Sequence, residues 1–192
     1  MPSPNPAALD FLLHRRSCPA RTLTLPVPDA AALRVILTAA ARSPDHGKLE
    51  PWRFIVLGKP SLSRLAALVA ARGAALALEE DRLAKSVAQY ADADLVVAVV
   101  QVPRETVKVP TSEQTYAVGG VCLALLNAAL AAGWGANWLS GWPVYDRAFL
   151  TDGLGLSPDE TIAGLIHIGT ETSPPPDRPR PDIDKITRWV TT

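Results

Sequence analysis

Apolar and polar positions follow two rhythms along this chain. Leu33, Ile36, Leu37 and Ala40 recur at i, i+3, i+4 and i+7, the stripe of an amphipathic helix, and Asp29 stands ahead of them as a candidate N-cap. Pro44 is expected to stop that helix, because a proline pushes the residue before it out of the helical region. An earlier helix opens at Asn5-Pro6, a cap followed by proline at the first helical position, carries Leu9, Leu12 and Leu13, and ends near His14–Ser17. The second rhythm is that of strands. Trp52–Leu57 (WRFIVL) is short, β-branched and aromatic, and closes at Gly58. Leu95–Val100 (LVVAVV) is apolar on both faces and therefore expected at the centre of a sheet.

Between these strands an Ala- and Leu-rich helical stretch opens at Ser61 and runs toward Leu78. Glu79-Glu80-Asp81-Arg82 reads as a solvated break before a further helical turn through Tyr90. After the Lys108-Val109-Pro110 loop, Thr111 or Ser112 is placed to cap a long helix. No charged side chain occurs from Gln114 to Tyr145, but the most apolar part, residues 117–132, is only 16 residues long and contains Asn127. That falls short of the roughly 20 residues a bilayer requires, so a buried helix is expected and no membrane partner. Ala136–Ser140 reads as a strand, Pro143 and Asp146 introduce a short helix closed by Leu154-Gly155-Leu156, and Thr161–Gly169 (TIAGLIHIG) is the last strand. Ser173 to Pro181 is proline-rich and cannot join a central sheet, so residues 173–192 read as an arm in polyproline conformation. Its terminal Ile183, Ile186, Trp189 and Val190 call for a docking surface, which a partner subunit can supply. The order of elements implies a sheet sandwiched by helices.

Composition narrows the class. The chain has 192 residues, 19 basic and 19 acidic side chains, and 48% hydrophobic residues. That excludes a disordered chain and a generally basic nucleic-acid binder. The balance is uneven: residues 1–60 hold 8 basic and 4 acidic side chains, and residues 61–192 hold 11 and 15. Cys18 and Cys122 form no metal-type pair and read as free thiols of a reducing cytoplasm; no secretory leader is apparent. The nucleotide-binding, zinc-protease and nucleophile-elbow motifs are missing, and the three histidines lack metal-ligand spacing, so no metal is expected.

Three clusters remain. Arg15-Arg16-Ser17 offers guanidinium forks and a hydroxyl to a phosphate, although basic residues at a helix end also complement its dipole. Arg42 to Arg53 is a turn-rich, cationic loop between a helix and a strand, which reads either as part of a site or as an ordinary charged connection with Trp52 in the core. Asn137-Trp138-Leu139-Ser140-Gly141-Trp142 could cover and hydrogen-bond a flat ligand, or supply core tryptophans. No nucleophile and base pair emerges, so catalytic side chains stay unassigned.

Taken in order, Arg15-Arg16-Ser17 with Arg21, Ala39–Pro44 with Asp45-His46, Pro51-Trp52-Arg53, Lys108-Val109-Pro110, Glu113-Gln114, Gly135–Gly141 and Ile166–Thr170 resemble the nitroreductase family, in its compact YdjA-like branch. The resemblance implies an α+β fold whose mainly antiparallel sheet lies between helices. It implies an intertwined homodimer in which residues 1–172 form one flavin mononucleotide (FMN) domain and the proline-rich arm docks on the partner. It also implies an enzyme passing hydride from NADH or NADPH through FMN to an electron-poor acceptor such as a nitroaromatic or a quinone; a flavin carrier or sensor is the alternative. By matching positions, Arg15, Arg16 and Ser17 hold the phosphate and ribityl chain, Arg42 and His46 reach in from the other subunit, and Trp138, Leu139 and Ser140 line the flavin. Ala128, Ala129, Leu130, Ala131, Ala132 and Gly133 match a segment assigned to the nicotinamide nucleotide. The chain departs from the common pattern at Asp45 and Lys48, where many members have Ser and Asn, at Glu50 in place of Gln, and at Thr111 or Ser112 in place of a Trp.

Overall fold

The computed structural model describes residues 3–192. Helix α1 (Pro6–His14) starts where Asn5 accepts from the backbone N–H of Ala8 at 3.1 Å, and α2 (Ala30–Ala40) where Asp29 accepts from Ala32 at 2.8 Å. Both caps satisfy a backbone donor that the first helical turn leaves free. α2 ends four residues ahead of Pro44. Arg42 and Ser43 bond back to the carbonyls of Ala39 and Ala40, tightening the last turn before the proline acts.

Strand β1 (Leu23–Thr24) is too short to carry a periodic signal and was not anticipated. Strand β2 (Trp52–Gly58) runs directly into α3 (Lys59–Ala75). The helix opens two residues before Ser61 because Pro60 fits the first turn, where its missing N–H costs nothing. The acidic run is no break. Glu79 caps α4 (Glu80–Ala91) by accepting from Asp81 at 3.0 Å and Arg82 at 3.1 Å, and the next two acids complement the helix N-terminus. The interruption lies earlier, at Leu76–Leu78, where Ala77 takes φ 50°. Strand β3 (Leu95–Gln101) precedes α5 (Thr111–Ala131). Neither Thr111 nor Ser112 caps α5, because Pro110 occupies the cap position and both residues already lie inside the first turn. Strand β4 (Gly135–Leu139) leads through a tight turn at Trp142–Tyr145 and a π-type turn at Phe149–Gly153 to β5 (Thr161–Glu171). The arm ends in one helical turn, α6 (Ile183–Ile186).

All strand pairs are antiparallel, as the resemblance implies. β5 belongs to three of the four, pairing with β3 (Val96 opposite His167), β4 (Trp138 opposite Ile166) and β1 (Thr24 opposite Thr170). β2 pairs with β3 alone, so its other edge is free among the described residues. Alternation along β3 feeds two cores. Leu95, Val97 and Val99 meet Leu33 and Ile36 of α2 and Val118, Val121 and Leu125 of α5. Val96, Ala98 and Val100 meet Leu62, Leu65 and Val69 of α3, with Tyr90 and Phe149 edge to face at 5.5 Å. Removing one such valine or leucine from water contributes roughly 1.5–3 kcal/mol. α5 is long and apolar enough to cross a membrane, yet Val118, Cys122, Leu125 and Ala129 tie one side of it to the core.

The outside is less finished. α1 buries none of its residues, and Tyr116 and Leu123 on α5 are exposed. Ile183, Ile186, Trp189 and Val190 touch no core; Trp189 is 82% exposed.

Candidate functional site

Arg15 leaves the end of α1 in an extended conformation, and the chain then runs along β4. The Cys18 N–H donates to the Ala136 carbonyl at 3.0 Å, and the Asn137 side chain donates to the Cys18 carbonyl. These bonds bring the first and third clusters together. Arg15 Nη2 donates to Ser17 Oγ at 2.9 Å, and Arg16 donates through Nε and Nη2 to the Pro176 carbonyl at 3.3 and 3.1 Å. The arm therefore crosses the front of this cluster. Neither Arg15 nor Arg16 pairs with a carboxylate among the described residues.

Electrostatics single out Arg15. Burial holds its guanidinium below the usual arginine range, and the positive charges of Arg16 and Arg180 push in the same direction. Its Nε is buried without a hydrogen-bond partner. Arg180, in the arm, was missed by sequence reasoning, because a lone basic residue among prolines gives no hint that it folds back beside Arg15. Arg180 pairs with Asp177 at 3.5 Å, which leaves Arg15 and Arg16 as the guanidiniums lacking a counter-charge, and two such forks are a donor set that suits a phosphate. Cys18, between these groups, is no nucleophile: burial and the bond from its Sγ to Glu171 Oε2 (3.0 Å) push the thiol up to about 11.

A cleft of about 310 Å³ opens beside this segment. Arg21, Lys85 and Gln89 of α4, Leu139 of β4 and His167 of β5 line it. Gln89 Nε2 and His167 Nε2 are buried with no hydrogen-bond partner. Burial pushes the His167 imidazole down to about 4, so it is neutral at ordinary pH. Among these residues only Leu139 was expected in the site and Arg21 noted beside it. Lys85, Gln89 and His167 gave no separate signal, since a polar residue in a helix or strand reads as an ordinary surface or core position. Trp138 is neither core nor fully exposed, at 38%. Its indole lies over Gly164 of β5, where any Cβ would collide with it. Ser140 is exposed at the end of β4.

The second cluster lies elsewhere in the chain. Arg42 is exposed past the end of α2, and His46 Nδ1 lies 2.8 Å from Glu113 Oε2 in the first turn of α5. Asp45 accepts from the Glu50 N–H at 3.0 Å. Gly47, Lys48 and Glu50 all take left-handed backbone, at φ 79°, 54° and 47°. Asn tolerates that region better than Lys or Glu does, so the departures at 48 and 50 fall where the backbone is most demanding. A separate cleft of about 370 Å³ lies here, lined by Pro44, His46, Glu113 and Tyr116. Among the described residues, no hydrogen bond joins Arg42 and His46 to Arg15–Ser17. Of the segment matched to a nicotinamide nucleotide, Ala129 is fully buried in the core, Ala128 and Leu130 are partly buried, and Ala131, Ala132 and Gly133 are exposed.

Comparison with known proteins bears on the family and the fold. The chain is 37% identical over 164 residues to the "Putative NAD(P)H nitroreductase" of Haemophilus influenzae, covering 85% of this chain and 88% of that protein. It is 31% identical over 163 residues to the YdjA protein of Escherichia coli K12, which has the same designation, covering 85% and 87%. Its fold superposes on a Desulfovibrio desulfuricans structure described as a nitroreductase in complex with FMN, with a TM-score of 0.74, 23% identity and coverage of 99% and 100%. The sequence profile of the Nitroreductase family matches residues 12–170, a span that includes the Arg15–Ser17 segment, the Arg42–Arg53 loop, strands β1 to β4 and all but the last residue of β5, and the chain belongs to that family.

Proposed function

We propose that the protein is an FMN-dependent oxidoreductase that takes reducing equivalents from NADH or NADPH. The observation that carries this reading is the pair of Arg15 and Arg16, which no carboxylate among the described residues compensates, with the orphaned Nε of Arg15 and, further along the same segment, a cleft lined by Arg21, Lys85 and Leu139. These residues fit the cofactor. Arg15, Arg16 and Ser17 would hold the phosphate and ribityl chain, and Leu139 and Ser140 would lie along the ring, with Trp138 beside them. Bound FMN supplies acceptance of a hydride and onward transfer of electrons, chemistry that no side chain of this protein provides. Arg21 and Lys85 outnumber Asp92 among the charged residues lining the cleft, and that net positive charge favours the added negative charge of a reduced ring. The acceptor is an electron-poor conjugated compound such as a nitroaromatic or a quinone.

The working unit is a homodimer. Exposed apolar side chains on α1, on the outer strip of α5 and at the C-terminus form more uncovered apolar surface than a finished monomer leaves. In the dimer, Arg42 and His46 of a second copy complete the site of the first. The arm of residues 173–192 docks on that copy, for which the free edge of β2 and the apolar groove between β2 and α2 offer a seat. The test is an FMN titration of the purified protein, followed by anaerobic addition of each nicotinamide cofactor. A flavin spectrum that bleaches within turnover times is expected. No spectral change or thermal stabilisation by FMN overturns the cofactor reading, and bound flavin that NADH and NADPH leave oxidised identifies a carrier or sensor instead.

A further inference from the structure

Buried polar atoms without partners are rare in folded proteins, and each asks for a cause. Two of the five such side-chain atoms here, Gln89 Nε2 and His167 Nε2, belong to residues lining the same cleft. They come from different elements, α4 and β5, so no local irregularity explains both. His167 is only 3% exposed, and it stands mid-strand between Ile166 and Ile168, where an apolar residue would satisfy the sheet equally well. The carboxamide of Gln89 lies against the turn that follows Ser140, with its Oε1 3.6 Å from the position a Cβ on Gly141 would take. Each side chain gives up hydration at its Nε2 without an internal hydrogen bond in return, which costs stability.

We infer that Gln89 and His167 are positioning residues for the bound flavin: as neutral hydrogen-bonding groups they meet the polar edge of the ring system in this cleft and fix its seating. The inference rests on the FMN reading and deepens it. Both groups are uncharged, so they select by hydrogen bonding, while Arg21, Lys85 and Asp92 set the charge of the cleft. A ligand with a carbonyl and N–H edge fits this pair, whereas a purely hydrocarbon ring leaves both groups unsatisfied.

The two roles of His167, structural or ligand-directed, predict opposite signs. Replacing an unsatisfied buried imidazole with an apolar ring of similar shape is neutral or stabilising for the protein without ligand. His167→Phe is therefore expected to melt at the same temperature as wild type or above it without FMN, yet to bind FMN at least tenfold more weakly, measured by quenching of flavin fluorescence. Gln89→Leu is expected to weaken binding in the same sense, and His167→Gln to recover part of the loss. The midpoint potential of the bound flavin, read by spectroelectrochemistry, is expected to differ between His167→Phe and wild type. Wild-type FMN affinity and potential in both His167→Phe and Gln89→Leu overturn the inference and leave the FMN reading intact. Failure of the wild-type protein to bind FMN overturns both. If His167→Phe does not fold, Gln89→Leu and His167→Gln decide by the same two measurements.

Discussion

Arg53 and Arg15 are the same side chain placed in opposite surroundings. Arg53 donates through Nε and Nη2 to the two carboxylate oxygens of Glu160 at 2.7 and 2.8 Å, and this bidentate pair raises its affinity for a proton. Glu160 also accepts from the Ser157 N–H at 3.0 Å, so the corner is closed on itself. Arg15 has only the Ser17 hydroxyl, and burial and two neighbouring guanidiniums work against its charge. One corner spends its electrostatics on holding the fold; the other keeps its positive charge unmatched, ready for an anion from outside. The lesson is that a cation's role is read from its missing partner as much as from the partners present.

Four substitutions or conditions sharpen that contrast. The largest effect is expected from Arg15→Ala, which should weaken FMN binding about 100-fold, equivalent to about 2.7 kcal/mol, in a fluorescence titration. The melting temperature without FMN should stay unchanged or rise, because a disfavoured charge has gone. A large loss of stability without FMN would place Arg15 with Arg53 as a structural cation. Next, Glu160→Gln should cost about 2 kcal/mol in urea unfolding, since it weakens a bidentate pair at a carboxylate that is largely buried, and should leave FMN affinity within twofold. Weakened FMN binding in that variant would mean the two corners are coupled. Third, Gly164→Ala should cost about 1 kcal/mol, because the new methyl group displaces the Trp138 indole, which is partly exposed and able to move. Tryptophan fluorescence should shift accordingly, and an unchanged spectrum would show that the indole does not depend on that gap.

The smallest effect is a dependence on pH. Glu160 and Asp146 both have carboxyl groups held below the usual range, first by Arg53 and Arg72 respectively. A depressed folded-state value means that their stabilisation is complete above the unfolded value of about 4 and fades as pH falls through the folded one. The urea midpoints of wild type and Glu160→Gln should thus stay separated from pH 7 to 5 and converge below pH 4. A gap that persists at pH 3 would show that the pair's contribution is packing and not charge.

Most of the fold was legible because it rests on local signals. Asn5 and Asp29 cap the helices they were expected to cap, and the six apolar residues Leu95–Val100 are the buried central strand that their composition implied. The errors share a cause. Glu79 acts through a side-chain cap and Pro110 through its fixed backbone at a helix start, which a reading of charge or of hydroxyl residues overlooks. β1 exists only because β5 is long enough to hold it. The site was legible in part for a similar reason. Arg15–Ser17 and Trp138–Ser140 are contiguous runs that can be recognised in sequence. Lys85, Gln89, His167 and Arg180 reach the same region singly from α4, β5 and the arm, and only the folded chain brings them there. Arg42 and His46 lie apart from that region within one chain, and their part in the site of a second copy is implied by the resemblance alone.

The position of β5 as the common partner of β1, β3 and β4 also governs the order of assembly during synthesis. Its residues 161–171 follow those of every other strand, so three of the four strand pairings must wait until β5 has been synthesised. Until then only β2 and β3 can pair, and β3 presents an apolar, hydrogen-bond-hungry edge to whatever is nearby. A ribosome stalled before residue 161 would expose a sticky hairpin instead of a partial domain, and such truncated chains are natural clients for chaperones.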